Sequence, residues 1–575
     1  MKRSKLLIAA LAVPLIGGIA GVAAPTAAAQ PRLAGPDTEF TVLAAEGQSV
    51  ASAEQAIRDA GGTVLHSNTA VGLITATAPA TGFTERVSAD RAVFGVAKAK
   101  AIGKAPTQRA VPKPDVVEKE AGRTAGGTAA KKPDPVGTDP LDDKLWGLKS
   151  VRSDLARTKQ AGDKRVKVGI IDTGVDGSHP DIAPNFDKAA SRNFTRDIPY
   201  DEKGAEADGP CEFRGCVDPV DHDDSGHGTH VAGTIAAAAN GFGVSGVAPN
   251  VTLVNIRAGQ DSGSFFLQAT VDALTYAGDA GVDVVNMSYF VDPWLYNCQS
   301  NPADSPAQQL EQRTITAAVN RALNYAHRKG VSELVALGNQ HSDLGAPQRD
   351  TISPNYPSDS AHPRDIDNSS CVSLPVEGAH AIGVGSFGPS GKKADYSNYG
   401  TEQISVSAPG GYARDYFGTE WFNANENKIL SAYPRNVALV EGAIDAAGNI
   451  TEAGAKLGVQ KATAADGRVG YYQYLQGTSM ATPHASGVAA LIVSQYGKKT
   501  GGEFGLAPDA VQRVLEGTAA KTPCPVPRTV DYLKEGRDAS FTATCEGTPE
   551  FNGFYGRGGV DAFTAVTHGE PYLRG

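Results

Sequence analysis

Short apolar runs that alternate with alanine-rich stretches of helical periodicity constrain the fold more than any other feature of the chain. The runs lie at 166–171, 251–256, 282–287, 334–337 and 381–384. Largely apolar strands of this length are typical of a parallel sheet that is covered on both faces. The sequence therefore predicts an α/β domain with a doubly wound, mostly parallel sheet and helices on both faces. Functional sites of such sheets lie beyond the carboxyl ends of the strands.

A smaller unit of a different class precedes this domain. Residues 39–102 predict the element order β-α-β-β-α-β of an α+β ferredoxin-like domain. Residues 103–140 are rich in Lys, Ala, Gly, Thr and Pro, a composition that buries too little apolar surface to order itself. We therefore expect an N-terminal domain within 30–102, a disordered linker at 103–140 and a main domain at 141–575.

The first 29 residues have the form of a secretory signal peptide. Lys2, Arg3 and Lys5 precede an apolar run at 6–23, and the small residues at 27–29 suit a signal peptidase. The alternative is an uncleaved membrane anchor, which the Gly and Pro interruptions disfavour. No later stretch resembles a membrane span, so we expect a secreted, extracellular protein.

Composition argues against two further classes of protein, disordered chains and general nucleic-acid binders. Hydrophobic residues make up 41% of the chain and charged residues 20%, a balance typical of globular proteins, so wholesale disorder is not expected. The formal net charge is -10 at pH 7, whereas general nucleic-acid binding needs a surplus of clustered Lys and Arg. We expect no nucleic-acid partner.

Six cysteines in an exported chain predict three disulfides. Short loops favour two local pairs, which leaves one long-range pair. The predicted pairs are Cys211 with Cys216, Cys298 with Cys371, and Cys524 with Cys545. A zinc site is the alternative, but no CxxC spacing occurs.

The end of the first apolar run of the main domain carries a candidate acid. Asp172 is followed by Thr173 and Gly174, and glycine permits a sharp turn at a strand end. An Asp-Thr-Gly triplet also occurs in aspartic proteases, but those need two such aspartates to share a proton, and we find no second triplet.

A candidate base opens the helix that follows. His227 lies in Asp224-Ser-Gly-His227-Gly-Thr-His230, where a glycine-rich loop runs into an apolar helix. The local cluster of acids and histidines, His222, Asp223, Asp224, His227 and His230, offers metal binding as the alternative. The HExxH motif of zinc peptidases is absent.

Far downstream, a serine opens another apolar helix. Ser479 follows Gln476-Gly477-Thr478 and precedes Met-Ala-Thr-Pro-His. A helix N-terminus favours developing negative charge, so a serine at this place can attack a carbonyl while amide groups hold the oxyanion. By itself, a serine before a helix is usually only an N-cap.

Together, the three motifs resemble those of the subtilisin-like serine proteases, in the order Asp, His, Ser and over roughly residues 141–570. The resemblance implies a serine endopeptidase that acts on proteins or peptides, with Asp172, His227 and Ser479 as its triad and with no cofactor. We expect a monomer. An inactive binding module of the same fold and a secreted esterase are the alternatives, but the triad is complete and no GxSxG motif occurs.

Other site residues follow from the same resemblance. Asn339, in Ala336-Leu337-Gly338-Asn339, resembles the residue that donates to the oxyanion. Leu337 stands where a small residue is usual. Substrate would pair as an added strand with two edges. The predicted substrate-binding residues are Ser262, Gly263, Ser264, Ser288, Tyr289, Phe290 and Gly338. Tyr289 and Phe290 replace the usual Leu-Gly, either as walls of the groove or as core residues.

The domain within 30–102 resembles the family's inhibitory propeptide, which implies a zymogen inhibited by its own propeptide, with the mature enzyme beginning between 137 and 145. Asp181, the 238–244 loop with Asn240, and Asp142 resemble a family calcium site of oxygen ligands. An insertion that carries Cys211 and Cys216 separates Asp181 from His227, so the sequence leaves the metal open. Residues 411–470 resemble an insertion to which the sequence assigns no role.

Overall fold

The computed structural model describes residues 37–98, 117–123, 139–500 and 503–574. The predicted signal peptide and most of the predicted linker lie outside these residues. Within the described ranges, no helix combines the length and the apolar character needed to cross a bilayer.

The N-terminal unit has the predicted order of elements. They are β1 (Asp37–Ala44), α1 (Val50–Asp59), β2 (Thr63–Asn68), β3 (Leu73–Pro79), α2 (Phe83–Ser88) and β4 (Val93–Lys98). The strands form an antiparallel sheet in the order β2-β3-β1-β4. One face of this sheet packs on α1 and α2 around Phe40 and Phe83, whose ring centroids are 4.7 Å apart.

The main domain alternates strands and helices as the periodicity predicts. Its strands are β5 (Lys167–Ile171), β6 (Arg192–Asn193), β7 (Thr252–Arg257), β8 (Val284–Met287), β9 (Asn297–Cys298), β10 (Ser332–Ala336), β11 (Arg349–Asp350), β12 (Arg364–Asp365), β13 (Cys371–Val372), β14 (Ile382–Phe387), β15 (Ile404–Pro409), β16 (Ile429–Tyr433), β17 (Gln460–Thr463), β18 (Val469–Leu475), β19 (Lys498–Thr500), β20 (Glu503–Gly505), β21 (Thr529–Val530) and β22 (Ala543–Thr544). Its helices are α3 (Trp146–Ser150), α4 (Ser153–Ala156), α5 (His227–Ala236), α6 (Leu267–Asp279), α7 (Pro306–Arg328), α8 (Arg435–Val440), α9 (Glu452–Lys456), α10 (Thr478–Tyr496), α11 (Pro508–Gly517) and α12 (Ala562–His568).

Seven of these strands form one parallel sheet in the order β15-β14-β10-β8-β5-β7-β6. Helices α5 and α10 bury their apolar side chains against one face, and α6 and α7 against the other. The predicted doubly wound α/β fold is confirmed. Because all strands run in one direction, the residues that follow β5, β8 and β10 meet at a single edge of the sheet.

The three predicted disulfides are confirmed. Cys211 bonds Cys216 and Cys524 bonds Cys545, each within a local loop. Cys298 and Cys371 join the short antiparallel strands β9 and β13. Among the described residues there is no free cysteine.

The insertion at 411–470 builds a small layer beside the sheet edge. Strands β16, β18 and β17 form an antiparallel sheet in that order, and the helices α8 and α9 belong to the same layer. The layer has its own apolar cluster, which includes Tyr433, Val437 and Tyr471. Val437, Val440 and Glu441 from α8 and its end line the cleft described below, so the insertion supplies one of its walls.

The N-terminal unit packs on the main domain through the other face of its sheet. Leu43, Val71 and Leu73 are buried together with apolar side chains of α6 and α7. Polar contacts surround this core: Asn68 Nδ2 donates to Asp272 Oδ1 at 2.7 Å, and Arg321 Nη1 donates to the carbonyl of Ala44 at 2.8 Å. Contacts of both kinds fix the unit against α6 and α7.

Candidate active site

Asp172 and His227 are held together by the elements that carry them. Asp172 is fully buried at the end of β5, and its Oδ1 lies 2.7 Å from Nδ1 of His227, the first residue of α5. The Thr173 hydroxyl reinforces this junction, because its oxygen accepts the amide of Gly228 at 3.1 Å. The strand end and the helix start thus form a rigid pair.

Asp223 anchors the helix that carries His227. Its Oδ1 accepts the amide of Gly226 at 2.9 Å, and its Oδ2 accepts the amide of Thr229 at 3.0 Å. A carboxylate at this place satisfies free helical amides and complements the helix dipole. The sequence indicated Asp223 only as a member of a metal cluster. The structure does not support that cluster, since His230 Nε2 lies within hydrogen-bond distance of the carbonyls of Ile429 and Gln473 instead.

Ser479 occupies the second position of α10, after Gly477. Gly477 has a φ of 151°, which favours glycine. Pro483 in the same helix has no N–H to donate to the Ser479 carbonyl, and the Ser288 hydroxyl donates to that carbonyl instead, at 3.1 Å. Ser479 Oγ lies 3.3 Å from the carbonyl oxygen of Ser288. The end of β8 therefore fixes the start of α10.

Asn339 follows β10 and lies against the same helix start. Its Oδ1 accepts the amide and the hydroxyl of Thr478, both at 2.9 Å. Its Nδ2 is on the side of Gly477, 3.3 Å from the place that a β-carbon on Gly477 would take. The amide oxygen is thus engaged with Thr478, and the amide nitrogen lies beside Gly477, two residues before Ser479.

The seven predicted substrate-binding residues line one cleft of about 380 Å³, together with His227, Asn339 and Ser479. Tyr289 stacks on Phe265 with ring centroids 3.9 Å apart. Tyr289 and Phe290 line the cleft and also pack on the core beneath it, so both residues are walls of the groove and core residues at once. Leu337 is buried in that core and also lines the cleft.

Part of the expected linker lies in the cleft, which composition did not predict. Residues 117–123 are anchored by Gln476, whose amide donates to the carbonyl of Glu118 at 3.2 Å and whose Nε2 donates to that of Val117 at 3.0 Å. Order in this segment comes from contacts to the main domain, not from an apolar core of its own. The remainder of 103–138 lies outside the described residues.

The carboxylate of Glu118 lies between the candidate base and the candidate nucleophile. Its Oε1 is 3.5 Å from His227 Nε2, and Ser479 also lies near enough to help lower the pKa of this carboxyl. Burial opposes the charge of both Glu118 and His227, but mutual attraction outweighs it. As a result, the pKa of Glu118 falls below 4.5, while Asp172 and Glu118 raise the pKa of His227 well above 6.5. Nothing in the sequence singled out Glu118.

The carboxylates that resemble part of a calcium site accept several hydrogen bonds from their own domain. Asp181 Oδ2 accepts the Val244 amide at 3.0 Å and the Tyr472 hydroxyl at 2.7 Å, and burial raises the pKa of Asp181 to about 7. Asp142 accepts the amide and the hydroxyl of Ser245. Oδ1 of Asp181 is buried and has no hydrogen-bond partner, so this carboxylate keeps one oxygen for a divalent cation, and calcium binding here stays a prediction.

Elsewhere in the described residues, two groups of carboxylates bring their oxygens within 4.8 Å of one another and share Asp261. They are Asp197, Glu212 and Asp261, and Asp218, Asp224 and Asp261. Carboxylate clusters of this kind can hold calcium. Arg257 is buried among them and is paired with Asp218 and Asp261, so a positive charge is already present.

Comparisons with known proteins show the family of the chain. The model of the subtilase family matches residues 163–558, more than half of the chain. Subtilisin DY of Bacillus licheniformis is 26% identical over 351 residues, which cover 61% of this chain and 85% of that protein. A thermophilic serine proteinase of Bacillus sp. strain AK1 is 27% identical over 399 residues, which cover 69% of this chain and 66% of that protein.

Solved structures show the same fold at lower identity. The epidermin leader peptide processing serine protease of Staphylococcus aureus has a TM-score of 0.59 and is 19% identical, with 92% of this chain and 98% of that chain covered. Fervidolysin of Fervidobacterium pennivorans has a TM-score of 0.51 at 19% identity, with 92% and 61% covered.

Fold, site and relatives define a serine-type endopeptidase, a hydrolase of peptide bonds. The chain belongs to the subtilase family, which confirms the resemblance carried by its three motifs. Subtilases need no cofactor for catalysis.

Proposed function

We propose that the protein is a secreted endopeptidase that is made as a zymogen and cleaves peptide bonds through an acyl-enzyme on Ser479. The observation that carries this proposal is the hydrogen-bonded pair of Asp172 and His227 beside a serine that opens a helix. Together with Asn339, these side chains offer an orienting acid, a base, a nucleophile and an oxyanion donor around one cleft.

In the proposed mechanism, His227 Nε2 takes the proton of Ser479 as Oγ attacks the substrate carbonyl. Asp172 holds Nδ1 and thereby fixes the tautomer of the imidazole. The amide nitrogen of Asn339 donates to the oxyanion. His227 then returns the proton to the leaving amine, and water activated by the same imidazole hydrolyses the ester to free Ser479.

Latency is the second part of the proposal. Glu118 lies against the imidazole nitrogen that must receive the proton, and the segment that carries it fills part of the cleft. The N-terminal unit on α6 and α7 keeps this segment close to the cleft. We infer that residues 30–102 act as a propeptide and that the enzyme becomes active when the segment at 117–123 leaves.

A serine-directed phosphonate tests the nucleophile. The mature wild-type protein should carry one adduct on Ser479, located by peptide mapping, and Ser479→Ala should carry none. Ser540→Ala, which changes an exposed serine far from the triad in sequence, serves as the control and should label like wild type. An adduct on a different residue would remove Ser479 from its proposed role.

Processing tests the zymogen. Ser479→Ala removes the attacking oxygen and its hydrogen bond to the Ser288 carbonyl, a loss of about 1 kcal/mol that is well within a usual folding margin of roughly 5–15 kcal/mol. We expect the variant to be exported with its N-terminal domain still attached, as read from mass and N-terminal sequence in a host without other extracellular proteases. A variant that is shortened as in wild type would mean that another protease performs the cut.

A further inference from the structure

Glu120 lies two residues after Glu118, and a group of basic and amide side chains binds its carboxylate. Arg414 Nε donates to its Oε1 at 2.7 Å, and Gln476 Nε2 donates to its Oε2 at 3.0 Å. Arg537 Nη2 approaches Oε2 at 3.4 Å. Lys428 Nζ donates to the main-chain carbonyl of the same residue at 2.8 Å. We call Arg414, Lys428, Gln476 and Arg537 the acid pocket.

Bonds to other parts of the domain position the acid pocket. Arg414 Nη1 donates to the carbonyl of Glu535 at 2.6 Å, and Arg537 Nε pairs with the buried Asp395. Gln476 Oε1 accepts the Ala413 amide at 2.7 Å, which turns its amino group toward Glu120. These bonds do not involve residues 117–123, so the donors are already placed for a carboxylate when that segment departs.

The acid pocket is positive and partly shielded from water. Arg414, Lys428 and Arg537 face Glu120, while the nearby acids Asp395 and Glu535 already pair with Arg537 and Lys392, respectively. The side chains of Arg414 and Arg537 are 21% and 20% exposed. Charge-assisted hydrogen bonds from planar guanidinium groups discriminate strongly in favour of a carboxylate in such surroundings.

The acid pocket adjoins the nucleophile on one side. Gln476 lies three residues before Ser479, and Gln476 pairs with the segment through its main-chain amide. The edges that we predict to pair with substrate, at 262–264 and 288–290, line the cleft together with Glu118 and Lys119. The four residues of the acid pocket bind Glu120 instead, two residues after Glu118, which is the leaving-group side for a substrate that lies as the segment does.

We propose that the acid pocket is a specificity site of the peptidase, which selects substrates with a glutamate or aspartate on the leaving-group side of the cleaved bond. The proposal rests on the proposed endopeptidase function and names its substrate class. In the latent protein, Glu120 fills the acid pocket. After maturation, an acidic side chain of the substrate takes the same place.

Internally quenched peptides test this preference. One parent sequence carries Glu, Gln or Lys in turn at each of the first four positions after the cleaved bond, and kcat/KM is measured with the matured product of the full-length chain. At one position we expect Glu to exceed Gln by about tenfold. Raising the salt concentration should lower the ratio of kcat/KM for Glu over Gln in the wild-type enzyme. This test does not depend on the folding of any variant.

Substitutions of Arg414 link the preference to the pocket. Arg414→Gln should bring the Glu/Gln ratio close to one, and Arg414→Glu should shift the preference to Lys. Arg468→Gln, which changes an exposed arginine that pairs with Asp466 and lies over the Phe242 ring, is the control and should keep the wild-type ratio.

Three results would overturn the proposal. One is a wild-type enzyme that treats Glu and Gln equally at all four positions, and another is a glutamate preference that Arg414→Gln leaves unchanged. A wild-type enzyme that hydrolyses none of the peptides would reject the proposed endopeptidase function, and the specificity site with it.

Discussion

The amide oxygen of Asn339 accepts from Thr478, and we propose that its amide nitrogen donates to the oxyanion; a substitution can remove the donor alone. Asn339→Asp keeps an oxygen for the amide and hydroxyl of Thr478 but loses the donor, whereas Asn339→Ala loses both. We expect either variant to lower kcat by about 100- to 1,000-fold, the loss reported when subtilisin loses its oxyanion asparagine, with KM nearly unchanged. Steady-state kinetics on a peptide substrate measure both parameters. Asn449→Ala, at an exposed turn, is the control, and an unchanged kcat in Asn339→Ala would remove Asn339 from the oxyanion role.

Glu118 makes docking of the segment at 117–123 dependent on pH. The pKa of His227 is raised when the segment is docked. The contribution of His227 to the free energy of docking is therefore fully present below the pKa of the undocked imidazole, and it is lost as pH rises through the pKa of the docked imidazole. Glu118 has a lowered pKa, so its contribution is lost as pH falls through that value. We expect the segment to be best protected near neutral pH and to loosen progressively on the alkaline side.

Hydrogen exchange in the Ser479→Ala chain measures this pH dependence. Amides at 118–123 should exchange faster, after correction for the intrinsic rate, as pH rises above neutrality. Glu118→Gln keeps the shape of the side chain but not its charge, so it should flatten the profile, while Glu85→Gln in the N-terminal unit should not. If Glu118→Gln left the pH dependence of exchange unaltered, this result would contradict the ion pair between Glu118 and His227.

At the scale of elements, the catalytic pair depends on close contact between the end of β5 and the start of α5. A β-carbon on Gly228 would lie 2.1 Å from the carbonyl oxygen of Gly174 and 3.1 Å from Asp172 Cβ. Gly228→Ala must therefore push the helix away from the strand. We expect a loss of about 1–3 kcal/mol in the free energy of unfolding and a fall in kcat/KM, because the contact between Asp172 and His227 lengthens.

Urea unfolding in the Ser479→Ala background, which avoids autolysis, measures the loss of stability, and peptide hydrolysis in the active background measures the rate. Gly345→Ala is the matched control, since its new β-carbon would meet its nearest atoms at an ordinary 3.4 Å. Equal stability and activity in Gly228→Ala and Gly345→Ala would show that the junction tolerates displacement.

The same elements show what the sequence could predict. The parallel sheet follows from local apolar periodicity, and two of the disulfides follow from short loops, features that are written in neighbouring residues. The third disulfide, between Cys298 and Cys371, follows only as the pair that remains. Glu118 was missed because its segment is ordered by Gln476, 359 positions away from Val117, and composition reports only what a segment can bury by itself. The sequence offered Asp223 only within a disfavoured metal-binding alternative, because sequence shows which acids are near a histidine and not which amides they face.

At the scale of the molecule, the N-terminal unit and the segment at 117–123 hold the main domain at two separate surfaces. The unit rests on α6 and α7, on one face of the parallel sheet, whereas the segment lies at the edge where β5, β8 and β10 end. Residues 99–116 connect them. Weakening the first contact should therefore weaken the second, because the unit raises the effective concentration of the segment at the cleft.

Arg321 offers a way to loosen that first contact without touching the cleft. Its Nη1 donates to the carbonyls of Ala44 and Val71 at 2.8 and 3.2 Å. Arg321→Ala should cost about 1.4 kcal/mol of docking, or about tenfold in the docking equilibrium. In the active chain, peptidase activity should then appear sooner after secretion. In the Ser479→Ala chain, an added protease should remove the N-terminal unit faster. Arg313→Ala, on the same helix but bonded to Gln299, is the control. Unchanged activation and unchanged removal in Arg321→Ala would mean that docking on α6 and α7 does not govern latency.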